Sequence, residues 1–150
     1  MSKILSPFLI LVILSIGIIA FFYGEIILSP NDYFFSGWGD GIKNYFTYAY
    51  HIKHDTTYIN FEGMNYPYGE HLLYTDCHPM LSTIFKFCSS KFNFFDTYSV
   101  GILNSIMIFS ILLTFIICYF LLVELGVNSW LSVFFAISIT LMSPQIFRLG

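Results

Sequence analysis

Along the chain, long stretches without charge alternate with one stretch rich in polar and aromatic residues. From about Ile4 to Leu28 the only charge is Glu25, near the far end. From about Thr97 to Val123, and again from about Ser129 to Met142, there is none. About 20 apolar residues suffice to cross the hydrocarbon core of a bilayer. The pattern therefore predicts an all-α polytopic membrane protein with three transmembrane helices, at about 4–28, 97–123 and 129–146. Asp96 reads as the N-cap of the second, because its side chain can accept from the first free backbone N–H groups. Glu124, Gly126 and Asn128 lie in a turn so short that the second and third spans must form an antiparallel hairpin. Pro144 then ends or kinks the third. The first run exceeds the 7–15 residues usual for the apolar core of a signal peptide, and bulky residues crowd Ala20, so it reads as an uncleaved anchor.

Between the first two spans lies a loop of about 29–95, which predicts two helices along the membrane surface. In the first, from about Gly41 to Asp55, the helical period puts Ile42, Tyr45, Phe46, Ala49 and Ile52 on one face. Asp40, Asn44, Thr47, His51 and His54 fall on the other. Such a helix can lie in the interface, with its apolar face among headgroups and its polar face toward water. Then comes FEGMNYPYGEHLLYTDCHP, residues 61–79, with Pro67 and Gly69 marking a turn. PMLSTIFKFCSSK, from Pro79 to Lys91, predicts the second surface helix, with proline at its first position. Met80, Ile84, Phe85 and Phe87 are expected to meet the membrane, while Lys86 and Lys91 face water or lipid phosphates.

Composition agrees with a membrane location. Of 150 residues, 57% are hydrophobic and 10% charged, against about 25% charged in an average soluble domain. The net charge is −3 and no basic cluster occurs, which removes nucleic acid as a partner. Lys3 favours a cytoplasmic N-terminus, whereas Lys43, Lys53, Lys86 and Lys91 in a loop of this length leave the orientation open. Cys77 and Cys88 could pair only in an oxidising space.

The candidate chemistry lies in the loop. Asp40 stands between two glycines where the chain re-enters water. Locally it reads as a helix cap; in the layout it reads as a reactive carboxylate held at a membrane face. Asn44 lies one turn on. Glu70, His71, Asp76 and His78 fall within nine residues. They offer donors for a divalent metal but match no standard metal spacing, so substrate contacts or loop hydrogen bonds are the expected roles. Tyr66, Tyr68 and Tyr74 can stack on sugar rings or anchor at the interface.

These features occur in the order Gly39-Asp40-Gly41, Asn44-Tyr45-Phe46, Tyr66-Pro67-Tyr68-Gly69 and His78-Pro79-Met80-Leu81. That order resembles the first loop of the GT-C class of integral-membrane glycosyltransferases, over roughly residues 1–125. In oligosaccharyltransferases the Asp is followed by Pro, two residues and Tyr-Arg. Here Gly41 replaces the Pro and the loop has no Arg, so the likeness is to bacterial members that move single sugars onto lipids or glycans. The resemblance implies a polyprenyl-phosphate-linked sugar as donor and a lipid or glycan acceptor. Asp40 would be general base, with Lys43, Asn44, Tyr66, Glu70, Asp76 and His78 binding substrate. Arg148 is a second candidate for the donor phosphate. No cofactor is required, although a divalent metal is compatible. The same resemblance implies a bacterial inner or plasma membrane location, with the N-terminus cytoplasmic and the first loop periplasmic or extracellular. It also implies that these residues are the N-terminal portion of a larger GT-C fold. The competing readings are a transporter or flippase of lipid-linked sugars, which would need charged or broken helices at mid-membrane, and a non-catalytic membrane subunit.

Overall fold

The structure, a computed structural model, describes residues 2–36 and 39–143. The helices are α1 (Ser2–Leu28), α2 (Asp40–Lys53), α3 (Pro79–Ser89), α4 (Asn93–Thr97), α5 (Ser99–Glu124) and α6 (Ser129–Leu141). Two short strands, β1 (Asn60–Phe61) and β2 (Glu70–His71), interrupt the helical order. The chain is thus mostly helical, but the loop is not all-α. Asn60 pairs with His71 and Phe61 with Glu70, antiparallel. The described residues form two compact units, divided at Leu28/Ser29 and Asn104/Ser105.

One unit contains α1, α6 and α5 from Ser105 onward. Helices α1 (over Leu5–Leu28) and α5 are long and apolar enough to cross a membrane. Only 22% of the α1 window and 17% of the α5 window is buried by the chain itself. A core helix of a soluble protein would be covered far more completely. Where these helices do pack, Leu11, Tyr119, Val133 and Ala136 form the buried centre, flanked by Phe8, Leu122 and Ile137. The buried hydroxyls of Ser15 and Thr140 donate to carbonyls four residues back, Leu11 O at 2.7 Å and Ala136 O at 2.8 Å. Each is satisfied within its own helix.

The expected third span is shorter than its pattern suggested. Helix α6 has 13 residues, about 20 Å at 1.5 Å per residue, against roughly 30 Å of hydrocarbon. Two helices, not three, therefore have spanning length among the described residues. Residues 144–150, with Pro144 and Arg148, lie outside them. The turn between α5 and α6 is as short as expected. Gly126 (φ 84°) turns the chain left-handed. Its N–H donates to Val123 O, and Val127 N–H to Leu122 O, which is the Schellman pattern that ends a helix at glycine. Asn128 then caps α6 by accepting from Trp130 N–H at 3.0 Å.

The other unit, Ser29–Asn104, holds the polar chemistry. Asp96 does not cap the second span; it lies inside α4, and α5 begins at Ser99. The start of α5 is instead fixed by amides. Asn31 Oδ1 accepts from Gly101 N–H at 3.1 Å. Asn104, fully buried, donates to Pro30 O (2.6 Å) and Tyr33 O (2.7 Å) and accepts from the Tyr45 hydroxyl. A lone Asn in an apolar run thereby joins the segment after α1, helix α2 and the head of α5.

Candidate functional site

Helix α2 starts at Asp40, one residue earlier than expected. Its N-cap is Gly39, and no side chain caps its N-terminus. The capping reading of Asp40 is therefore incorrect. Asp40 is the first helical residue, with an exposed carboxylate in the helix's first turn, where the macrodipole favours negative charge. Gly41 has a steric reason to be glycine. A Cβ there would come within 2.5 Å of the Ser36 side chain. The close approach excludes every larger residue without rearrangement, including the Pro of the related motif.

One turn into α2, Lys43 Nζ makes a 2.8 Å ion pair with Asp76 Oδ2. The Lys43 ammonium is held above its ordinary range by the hydrogen bond and charge of Asp76, with smaller contributions from Asp40 and Glu70. Three carboxylates distant in sequence, Asp40, Glu70 and Asp76, thus share the field of one cation at the N-terminal end of α2. Asp76 (φ 57°) and His78 (φ 52°) are left-handed, as is Asn65 (φ 55°). Asn, Asp and His are the non-glycine residues that best tolerate that region. These bends turn the chain out of β2 and into α3. Asn65 Nδ2 donates to Glu70 Oε2 at 3.0 Å and holds that carboxylate in place.

Of the residues expected from the sequence, Lys43 and Asp76 are brought into contact, while Asp40 and Glu70 act on Lys43 only through their charge. Asn44, Tyr66 and His78 have no hydrogen bond or ion pair to them among the described residues. Asn44 is half-buried, and its Oδ1 is buried without a described partner. Tyr66 stands on the β1–β2 loop, almost fully exposed, and His78 is the exposed residue that precedes α3. His71 accepts from Leu73 N–H through Nδ1 at 3.3 Å. Among the described residues no three of His, Cys, Asp and Glu converge to hold a metal ion. Cys77 and Cys88 are free thiols.

The far end of α2 differs from its expected face. Tyr45, Thr47, Tyr48, His51 and Ile52 are buried, while Ile42 and Phe46 are exposed. The polar residues Thr47 and His51 thus point inward, because this helix buries an ionic cluster. His51 Nδ1 lies 2.5 Å from Asp55 Oδ2, with both side chains fully buried. Asp55 Oδ1 accepts from Glu62 N–H at 2.8 Å. Lys86, expected to face water or lipid phosphates, is 8% exposed. Its ammonium donates to His51 O at 2.8 Å and to Asp55 O. It neutralises the carbonyl end of α2 as a cation at a helix C-terminus should. Burial pushes the His51 imidazole down, and Lys86 adds to this, against the opposing pull of Asp55. The histidine is therefore neutral near pH 7 and donates Nδ1–H to Asp55. Burial also lowers the Lys86 ammonium.

Sequence reasoning missed this cluster. Its one available signal was the i, i+4 spacing of His51 and Asp55, a helical contact distance; nothing in the pattern marked Lys86 as their neighbour.

No curated protein and no solved structure matches the chain. The family model described as Domain of unknown function (DUF6311) matches residues 12–150, and the chain belongs to that family.

Proposed function

We propose that this chain forms part of a membrane glycosyltransferase of GT-C type, which moves a sugar from a polyprenyl-phosphate donor to a lipid or glycan acceptor. The observation that carries the reading is the state of Asp40. Its carboxylate is exposed, it does not cap its helix, and its charge acts on the ammonium of Lys43, three residues on, which Asp76 holds in an ion pair. An N-terminal carboxylate used only to start a helix would accept from the first backbone N–H groups.

In the proposed reaction Asp40 takes the proton of the acceptor hydroxyl. The hydroxyl oxygen forms a bond to the anomeric carbon. The bond from that carbon to the phosphate oxygen breaks, its electron pair leaves with polyprenyl phosphate, and the anomeric configuration inverts. The leaving group is already an anion, so the donor side needs cationic stabilisation more than an acid. Lys43 supplies a cation beside Asp40, and Asp76 and Glu70 offer acceptors for sugar hydroxyls. The described residues do not group into a metal site. The spanning-length helices α1 and α5 support a membrane location; the resemblance to GT-C enzymes is what favours a loop outside the cytoplasm.

The test compares the native full-length protein with Asp40→Asn in membranes, supplied with labelled polyprenyl-phosphate sugars. Donor consumption by the native protein is expected to fall by a factor of at least about 100 in the variant, the usual range for loss of a general base. Equal consumption at equal insertion would remove Asp40 from the chemistry. No consumption of any donor by the native protein would favour the transporter or subunit readings.

A further inference from the structure

The loop between β1 and β2 is anchored at its base and closed at its tip. At the base, Phe61 is fully buried and clusters with Leu72 and Cys77. Near the tip, Tyr68 N–H and Gly69 N–H both donate to Asn65 O, at 2.9 and 3.2 Å. Asn65 Nδ2 in turn holds Glu70. On this closed tip Tyr66 is 92% and Tyr68 93% exposed. Two tyrosines so exposed contribute little to the fold. Exposed aromatics on an ordered loop are the side chains that most often anchor a partner.

Charge narrows the partner. Between Lys53 and Lys86 there is no Lys or Arg. Asp55 is buried beside Lys86 and Asp76 is paired with Lys43, while Glu62 and Glu70 flank the tip with no cation in an ion pair with them among the described residues. An anionic lipid surface or an acidic polymer would be repelled. A neutral, hydroxyl-rich ligand would not. The electron-rich face of a tyrosine suits the slightly positive C–H face of a sugar ring, and a carboxylate suits its hydroxyls.

We propose that the tip is a stacking platform for a neutral glycan, with Tyr66 and Tyr68 against sugar rings and Glu70 accepting from hydroxyls. This deepens the transferase reading and rests on it for the class of ligand. Glu70 belongs both to the tip and to the field around Lys43, so the platform would deliver a glycan acceptor toward Asp40.

The experiment measures binding without donor or turnover. The full-length protein in nanodiscs of zwitterionic lipid is titrated with chitotetraose, mannotetraose and maltotetraose, followed by saturation-transfer NMR. The native protein is expected to transfer saturation to at least one of them. Tyr66→Ala/Tyr68→Ala should bind it roughly tenfold more weakly, consistent with losing two aromatic contacts. Both tyrosines are exposed, so the variant keeps the fold. No transfer to any of the three, or equal binding by the variant, overturns the platform. In a parallel arm, Tyr66→Trp is placed in nanodiscs with brominated lipid. Strong quenching there means membrane anchoring and also overturns it. If the platform fails while Asp40→Asn still abolishes donor consumption, the transferase reading survives alone. If the glycan binds and no donor is consumed, the platform survives without it.

Discussion

The two ends of α2 each carry a cluster of charged and polar side chains, and the clusters differ in almost every physical respect. At the N-terminal end Lys43 and Asp76 meet at 2.8 Å in solvent, joined by Asp40 and Glu70 only through their charge. At the C-terminal end His51, Asp55 and Lys86 are buried, with hydrogen bonds to backbone on three segments. An exposed pair gains little, because water screens it and long side chains lose freedom to form it. A buried cluster is costly to break, because each survivor is left charged or unpaired away from water. The comparison assigns stability to one end of the helix and leaves the other free for chemistry.

The strongest way to break that comparison is to remove the buried cation. Lys86→Met should leave Asp55 uncompensated and strip two carbonyls of their donor. We expect a loss of about 3–5 kcal/mol in the stability of this unit. Hydrogen exchange at the α2 amides would measure it. Protection equal to the native protein would mean that Lys86 does not hold the helix end. Pairing Lys86→Met with Asp55→Asn should lose less than the sum of the two, since both act on one cluster.

Next in size is Asn104→Ala. It removes the donor to Pro30 O and Tyr33 O and the acceptor of the Tyr45 hydroxyl. Each buried group left unpaired costs about 1–3 kcal/mol, although relaxation will recover part. The thermal midpoint in detergent should drop clearly, while Asn31→Ala, which frees only partly exposed groups, should move it less. A larger drop for Asn31→Ala would reverse the ranking of the two amides.

The exposed end was largely readable from sequence and the buried end was not. Asp40, Glu70 and Asp76 stood out because charges are scarce, and the turn residues around Pro67 placed them near the surface. The spanning-length helices α1 and α5 were readable from their missing charges, and the glycine turn at Gly126 from its composition. The pattern failed where a polar residue is buried with a partner distant in sequence. His51 and Thr47 were assigned to water because polarity alone cannot distinguish a solvated group from a paired one. Lys86 was assigned to water for the same reason, although its partners lie more than 30 residues away. Asp96 and Asp40 were both misread as caps, since a residue's capping preference does not fix where the helix starts. Helix α6 ends at Leu141 with Met142 as its C-cap, short of the run to 146 that the pattern predicted, because absence of charge does not mark where a helix stops.

A gentler probe of the buried end is pH. The folded His51 titrates below its ordinary value because burial disfavours the cation. The unfolded chain therefore binds a proton at higher pH than the folded one does. Stability from neutral His51 is complete above about pH 6.5, the ordinary histidine value. It declines as pH falls below that toward the lowered folded value. His51→Gln should flatten the acid limb of the melting midpoint against pH. An unchanged limb would mean that His51 does not set it.

The smallest expected effect on stability belongs to the exposed pair, and it is the one that separates the two ends of α2 most sharply. Asp76→Asn removes the partner of Lys43 and leaves the melting midpoint within error, because the pair sits in water. Activity should respond differently. Without Asp76 the Lys43 ammonium loses its one ion pair among the described residues, so donor consumption should fall if that cation serves the reaction at Asp40. Raising salt from low to physiological ionic strength should weaken the native pair and shrink the gap between native and variant. A variant that melts earlier but turns over normally would give both ends of α2 the same structural role. A variant that melts normally but turns over slowly would confine stability to the His51–Asp55–Lys86 end and the reaction to the Asp40 end.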